Sequence, residues 1–381
     1  MLKPFHLAAL ALTVAACGRD ATSPNPLVPP VPSFARGGAG TAVGAVFTLS
    51  NATGGNAVLA FSRAADGSLS PAGSYGTTGN GTGAGLGSQG AVALSQDRRF
   101  LFAVNAGSNS ITSFAVNGAS LTRIGTVGSG GVLPISVTAH GNFLYVLNAG
   151  GTENIVGFSI SPSGALSMLA GSARPLSGVG VGPAQVSFHP SGAWLVVTEK
   201  ATNRIDVYAV GADGYASGPV VNPSSGQTPF GFAFNQHGVL IVSEAFGGAP
   251  DASAMSSYTI NGDGTLRVIS ASVPTTETAA CWVAVTGNGK FAYATNTGSA
   301  SATGFRVRHA ALTILDPDGR TGDTGTTPID AAVSRNSQYL YTLNAGSHSI
   351  SAFAVDNSDG SLSTASGAGD LPPSAVGLAA H

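Results

Sequence analysis

The fold is decided by the stretch Arg99 to Val116, RFLFAVNAGSNSITSFAV. Apolar residues alternate up to Val104-Asn105, small residues from Ala106 to Ser110 break the run, and a second alternation follows from Ile111 to Val116. Period-two alternation around a Gly/Ser/Asn break predicts two antiparallel strands joined by a tight turn. The figure returns at Asn142 to Ile160, Ala193 to Val210, Lys290 to Val307 and Gln338 to Val355, with weaker copies at Gly44 to Arg63 and Val239 to Ile260. The seven copies lie about 49 residues apart, the spacing of propeller repeats built from four strands. Short runs on either side supply the other two strands, such as Ala91 to Leu94 before a copy and Leu121 to Ile124 after it. A lone four-stranded sheet leaves both faces wet, whereas seven around an axis bury them. The expected class is therefore all-β, a seven-bladed propeller of four-stranded antiparallel blades.

The first copy lacks a preceding inner strand, while the last blade is followed by an extra one, Ser374 to Ala380. Pairing that strand with Ala45 to Leu49 closes the ring and removes two exposed sheet edges. Ahead of the propeller, residues 1–16 have the plan of a secretory signal: Lys3, an apolar run from Leu7 to Val14, then small residues before Cys17. This segment resembles a bacterial lipobox, which implies lipidation at Cys17, and Arg19 at the second position beyond it fits an outer-membrane anchor facing the periplasm or the surface. The run is too short to span a bilayer. Residues 17–42, rich in proline and then glycine, read as a tether, and 43–381 as the propeller. With 9% charged residues and a net charge of −2 there is no basic footprint for nucleic acid. The expected contact with a membrane is the lipid anchor alone, and the expected state is a monomer.

The repeats Tyr145-Val-Leu-Asn148 and Tyr341-Thr-Leu-Asn344, each followed by Ala-Gly and an Ile-x-x-Phe strand, resemble those of the lactonase-type seven-bladed propellers, including 6-phosphogluconolactonases and YVTN-repeat surface proteins. The resemblance covers the whole of 43–381. It implies either hydrolysis of a sugar or small-molecule lactone or a non-catalytic surface propeller that binds a ligand or partner through its funnel or rim. Relatives that are enzymes tend to show Pro-His in the inner strand of blade 4, where this chain reads Gly182-Pro-Ala-Gln185.

In this architecture the ends of the second strands and the starts of the inner strands share one end of the central channel. The first set places Asn51, Asn105, Asn148, Glu199, Glu244, Asn296 and Asn344 in equivalent positions; the second adds Gln89, Ser136, Gln185, Phe230, Trp282 and Asp330. Asn before a small-residue turn is an ordinary strand cap, but the two glutamates break the pattern. For lactone hydrolysis, Glu199 or Glu244 would be the base and Lys200 the cation facing the oxyanion, with Asn105, Asn148, Asn296, Asn344, Gln185, Phe230, Trp282 and Asp330 lining the ligand. No cofactor is expected; the alternative is a hard cation such as Ca²⁺ on the same oxygens. His140, His189 and His237 fall in turns at the opposite end. Gly85 to Gly90 matches G-x-G-x-x-G but leads into a strand, so it reads as a flexible entry loop and not a dinucleotide site. Cys281 beside Trp282 reads as a small buried hydrophobe next to a core aromatic, the alternative being a reactive thiol beside a stacking ring.

Overall fold

The computed structural model describes residues 42–381; the signal, the lipidation expected at Cys17 and nearly all of the tether lie outside them. Seven antiparallel sheets follow one another along the chain. Blade 2 is representative: Val92–Leu94 is the inner strand, then come Phe100–Asn105, Ser110–Asn117 and the outer Ser120–Gly128. Blades 3 and 6 add only a two-residue edge pairing, Arg174–Pro175 and Gly322–Asp323. Blade 1 is completed from the far end of the chain. Val376–Ala380 lies against Gly44–Leu49, with Val46 opposite Ala380 and Leu49 opposite Val376, so the ring closes as the sequence predicts.

The repeated tyrosine has a defined job. Tyr145, Tyr293 and Tyr341, each in the middle of a second strand, are fully buried and donate to the carbonyls of Gly214, Gly360 and Gly67 in the outer turn of the next blade. Gly67 is obligatory there: its φ is +83°, and a Cβ would sit 2.1 Å from the Tyr339 ring. On the inner strands the ring is tied by backbone and side-chain bonds. Val137 N–H donates to Gly90 O, Val186 N–H to Ser136 Oγ, Ser243 Oγ to Cys281 O, and Thr297 Oγ1 to Pro328 O. Gln185 acts as a peptide mimic, donating to Phe232 O and accepting from Phe232 N–H. Asp330 accepts from Leu378 N–H at 3.0 Å and so binds the closing strand to blade 7.

Candidate functional site

The end of the channel at which the sequence places a funnel is filled. Ala184, Phe230, Ala245, Ala279, Cys281 and Trp282 form one buried apolar cluster, with Ile329 packed against it. Over it lies the Gly83 to Gly90 segment, which is a strap and not a flexible entry loop. Gln89 of blade 2 reaches blade 6, donating to Val283 O at 2.8 Å and accepting from Val283 N–H at 3.1 Å, while its own N–H donates to Ala184 O in blade 4. Trp282 Nε1 donates to Ser88 O and Lys200 Nζ to Gly87 O. Phe230 and Trp282 pack 4.9 Å apart, and the Lys200 ammonium sits 4.7 Å above the Phe230 ring. The expected ligand-lining residues Gln185, Phe230, Trp282 and Asp330 are thus buried parts of the ring's own bonding, and burial holds the Asp330 carboxyl well above the usual carboxylate range.

The asparagines are likewise turned into the blades. Asn105 Nδ2 donates to Ser110 and Thr112 hydroxyls, Asn296 Nδ2 to Ser301 and Thr303, and Asn344 Nδ2 to Ser349 and Ser351. Asn148 Nδ2 donates to Ser129 O and Asn154 Oδ1. All four are fully buried. In register terms, the residue at the end of the second strand meets the third strand two residues past its direct partner, a column occupied by Thr112, Ser256, Thr303 and Ser351.

This column explains the two glutamates. Glu244 accepts from Gly226 N–H (2.8 Å) and the hydroxyls of Ser256 (2.6 Å) and Ser272 (2.7 Å), with Ser224 and Tyr258 at 3.5 Å. Its entry loop and neighbours present donors, so an acceptor-only side chain replaces the amide. Glu199 accepts from Ser177 N–H at 2.9 Å and from the hydroxyls of Ser177 and Thr202, both at 2.5 Å. Its partner in the column is not a hydroxyl. It is Asp206, a residue that reading the sequence missed, as buried as Glu199 itself.

Two buried carboxyls in contact cannot both carry charge at neutral pH. Burial first, then the charge of Glu199 and the hydrogen bond to it, push Asp206 up to about 8. Asp206 Oδ1 finds no donor in the fold, and Tyr208 OH approaches Oδ2 at 3.4 Å. The raised Asp206 carboxyl is the one that holds the proton of the pair at neutral pH. The pair lies beneath an exposed edge: Ser177, Gly178, Val179, Gly180 and Thr202 are all solvent-exposed.

Lys200, next to Glu199 in sequence, points away from it. Its ammonium donates to Gly87 O and lies over the Phe230 face, and desolvation, partly offset by Glu153, lowers its pKa to about 8. His140, His189 and His237 occupy the opposite end, where His189 meets Phe234 edge to face at 5.2 Å. Arg306 lies toward that end as well, over Phe291. Among the described residues no three His, Cys, Asp or Glu side chains converge in a way that could hold a metal ion. No helix among them is long and apolar enough to cross a membrane.

Comparison with solved structures returns the same architecture. A Lactobacillus plantarum protein superposes with a TM-score of 0.70 at 18% identity, covering 89% of this chain and 99% of that one. A candidate 6-phosphogluconolactonase from Bacteroides fragilis gives 0.66 at 19%, covering 91% and 100%. A periplasmic gluconolactonase from Pseudomonas aeruginosa gives 0.66 at 18%, covering 88% and 99%. Comparison with curated protein sequences gives no significant match. The family model described as lactonase, 7-bladed beta-propeller, matches residues 54–179 and 251–374, leaving between them the stretch that holds Glu199, Lys200, Asp206 and Glu244. With well over half its residues matched, this chain belongs to the seven-bladed β-propeller lactonase family.

Proposed function

We propose that the protein hydrolyses a lactone, of a sugar or another small molecule, at the exposed end of blade 4. The observation that carries this reading is the proton-sharing pair Glu199–Asp206 under exposed hydroxyls. Lactone opening requires a proton to leave the attacking oxygen and one to reach the departing ring oxygen. Glu199, already receiving hydroxyl protons by hydrogen bond, takes the first and returns it to the second. Asp206, protonated at neutral pH, donates a hydrogen bond to the Glu199 carboxylate and holds it in place. Lys200, desolvated between Gly87 O and the Phe230 ring, ties down the strap and takes no part in the chemistry in this reading. Glu244, with its oxygens filled by donors of its own blade, keeps a structural role in this reading.

The test is acid release from a panel of sugar and aliphatic lactones by residues 42–381, with Glu199→Gln beside the parent and with Ca²⁺ or EDTA added. Turnover that falls ~100-fold or more in the variant and ignores the chelator is the expected result. Absence of turnover on every lactone would return the non-catalytic binding propeller to first place. The envelope location belongs to the same proposal, supported by the pattern from Lys3 to Cys17. Radiolabelled palmitate incorporated by the full chain and not by Cys17→Ala is the check.

A further inference from the structure

We propose that Ser177 is a nucleophile, so that hydrolysis at blade 4 passes through an ester between the Ser177 oxygen and the acyl group; this rests on the lactone reading for its substrate, and on geometry alone for its reactivity. Three features meet at one residue. The Ser177 hydroxyl donates to Glu199 Oε2 at 2.5 Å while its own backbone N–H donates to Oε1 at 2.9 Å, which fixes both the loop and the base against each other. Behind the base, Asp206 is placed two residues past the direct partner of Glu199 in the third strand, in the position where blades 2, 5, 6 and 7 carry a hydroxyl. In front, the N–H groups of Gly178, Val179 and Gly180 donate no hydrogen bond among the described residues, all three residues are exposed, and Val179 is 82% exposed. Nucleophile, base, group behind the base and free amide donors beside the nucleophile are the parts that acyl transfer needs. The amide of the residue after a nucleophilic serine is a recurrent oxyanion donor.

The steps balance. Ser177 Oγ bonds to the lactone carbonyl carbon as its proton passes to Glu199. The ring C–O bond then breaks, and the departing oxygen takes that proton. Water next attacks the ester carbon, its proton again going to Glu199, and Ser177 recovers a proton as the hydroxy acid leaves. A purely structural Ser177 predicts none of this, since a loop clamp needs the hydrogen bonds and not the reactivity.

The experiment treats the protein with an alkyl phosphonofluoridate, which forms a Ser O–P bond and releases fluoride, and maps the adduct by peptide mass spectrometry. Lactone turnover is followed in parallel on the same samples. The expected outcome is an adduct on Ser177, formed ~100-fold or more slowly in Glu199→Gln and absent in Ser177→Ala, with the alanine variant folded by circular dichroism and inactive. An adduct on Ser177 without turnover of any lactone would keep the nucleophile and discard the lactone. Turnover that survives in Ser177→Ala, or an adduct found on Thr202 or elsewhere, overturns the proposal and leaves hydrolysis by direct attack of water.

Discussion

Replacing Asp206 by Asn removes the proton that the carboxyl pair must share and keeps a donor in its place. In the parent, the folded state holds this proton up to about pH 8, whereas the unfolded chain gives it up near 3.8. The folded state therefore binds more protons across that window, so the contribution of this group is fully present below pH 3.8 and is lost as pH rises toward 8. The slope is ~1.4 kcal/mol per pH unit, so that between pH 5 and pH 7 the parent loses about 3 kcal/mol that the variant does not. A propeller of roughly 340 residues has an unfolding entropy near 0.7 kcal/mol per degree, which converts the difference to about 4 °C in Tm. Calorimetry of both proteins from pH 5 to pH 9 measures it. Taking the difference between them cancels the titration of every group that is not coupled to Asp206. The expected curves diverge from pH 5 upward, with the variant the more stable, and run parallel above pH 8. Parallel curves over the whole range would refute the shared proton.

Gln89→Ala removes both bonds across the channel and leaves the Val283 N–H and C=O without their partner, which should cost ~2–4 kcal/mol in urea unfolding; an unchanged midpoint would mean the strap is not under tension from Gln89. Gly231→Ala should be at least as damaging, because its Cβ would lie 2.2 Å from Gln89 Oε1 and 2.6 Å from Cys281 O. Glu244→Gln turns an NH₂ toward groups that are all donors and should lower stability by ~1–3 kcal/mol while leaving phosphonofluoridate labelling intact, as measured by denaturation and adduct yield. Deleting residues 374–381 removes the inner strand of blade 1 and should give an aggregated product in size-exclusion chromatography; a soluble product with cooperative unfolding would contradict the closure.

The fold was legible because its signal is local and repeated. Alternation in Phe100–Asn105 and Ser110–Asn117 specifies a hairpin by itself, and seven copies leave few ways to bury both faces. Closure by Val376–Ala380 was legible as arithmetic, one strand missing at one end and one in excess at the other. The site was less so. Position along the strand told which residues share an end of the channel, but not whether they face the axis, the neighbouring blade or their own entry loop. The strap was hidden for the same reason: nothing in Gly85-Leu-Gly-Ser-Gln-Gly90 says that its glutamine crosses to a strand 194 residues away. Asp206 did leave a trace. Once the copies are set in register it is the one carboxylate in a column that holds Thr112, Ser256, Thr303 and Ser351, and Val156 in blade 3.

That column also decides what an exception in a repeat means. Glu199 and Glu244 depart from the asparagine pattern in the same way, yet their surroundings differ in one chemical respect. Around Glu244 the third-strand partner is the hydroxyl of Ser256, and each carboxylate oxygen meets a donor, so that the substitution is complete as structure. Around Glu199 the partner is a second acid, which offers nothing to a carboxylate unless it keeps its proton, and keeping it is costly above the usual carboxylate range. A serine or threonine in place of Asp206 would satisfy Glu199 without that cost, as Ser256 does for Glu244. A blade that retains the costlier arrangement, beneath an exposed serine and a loop with free amides, has the composition of a site and not of a cap.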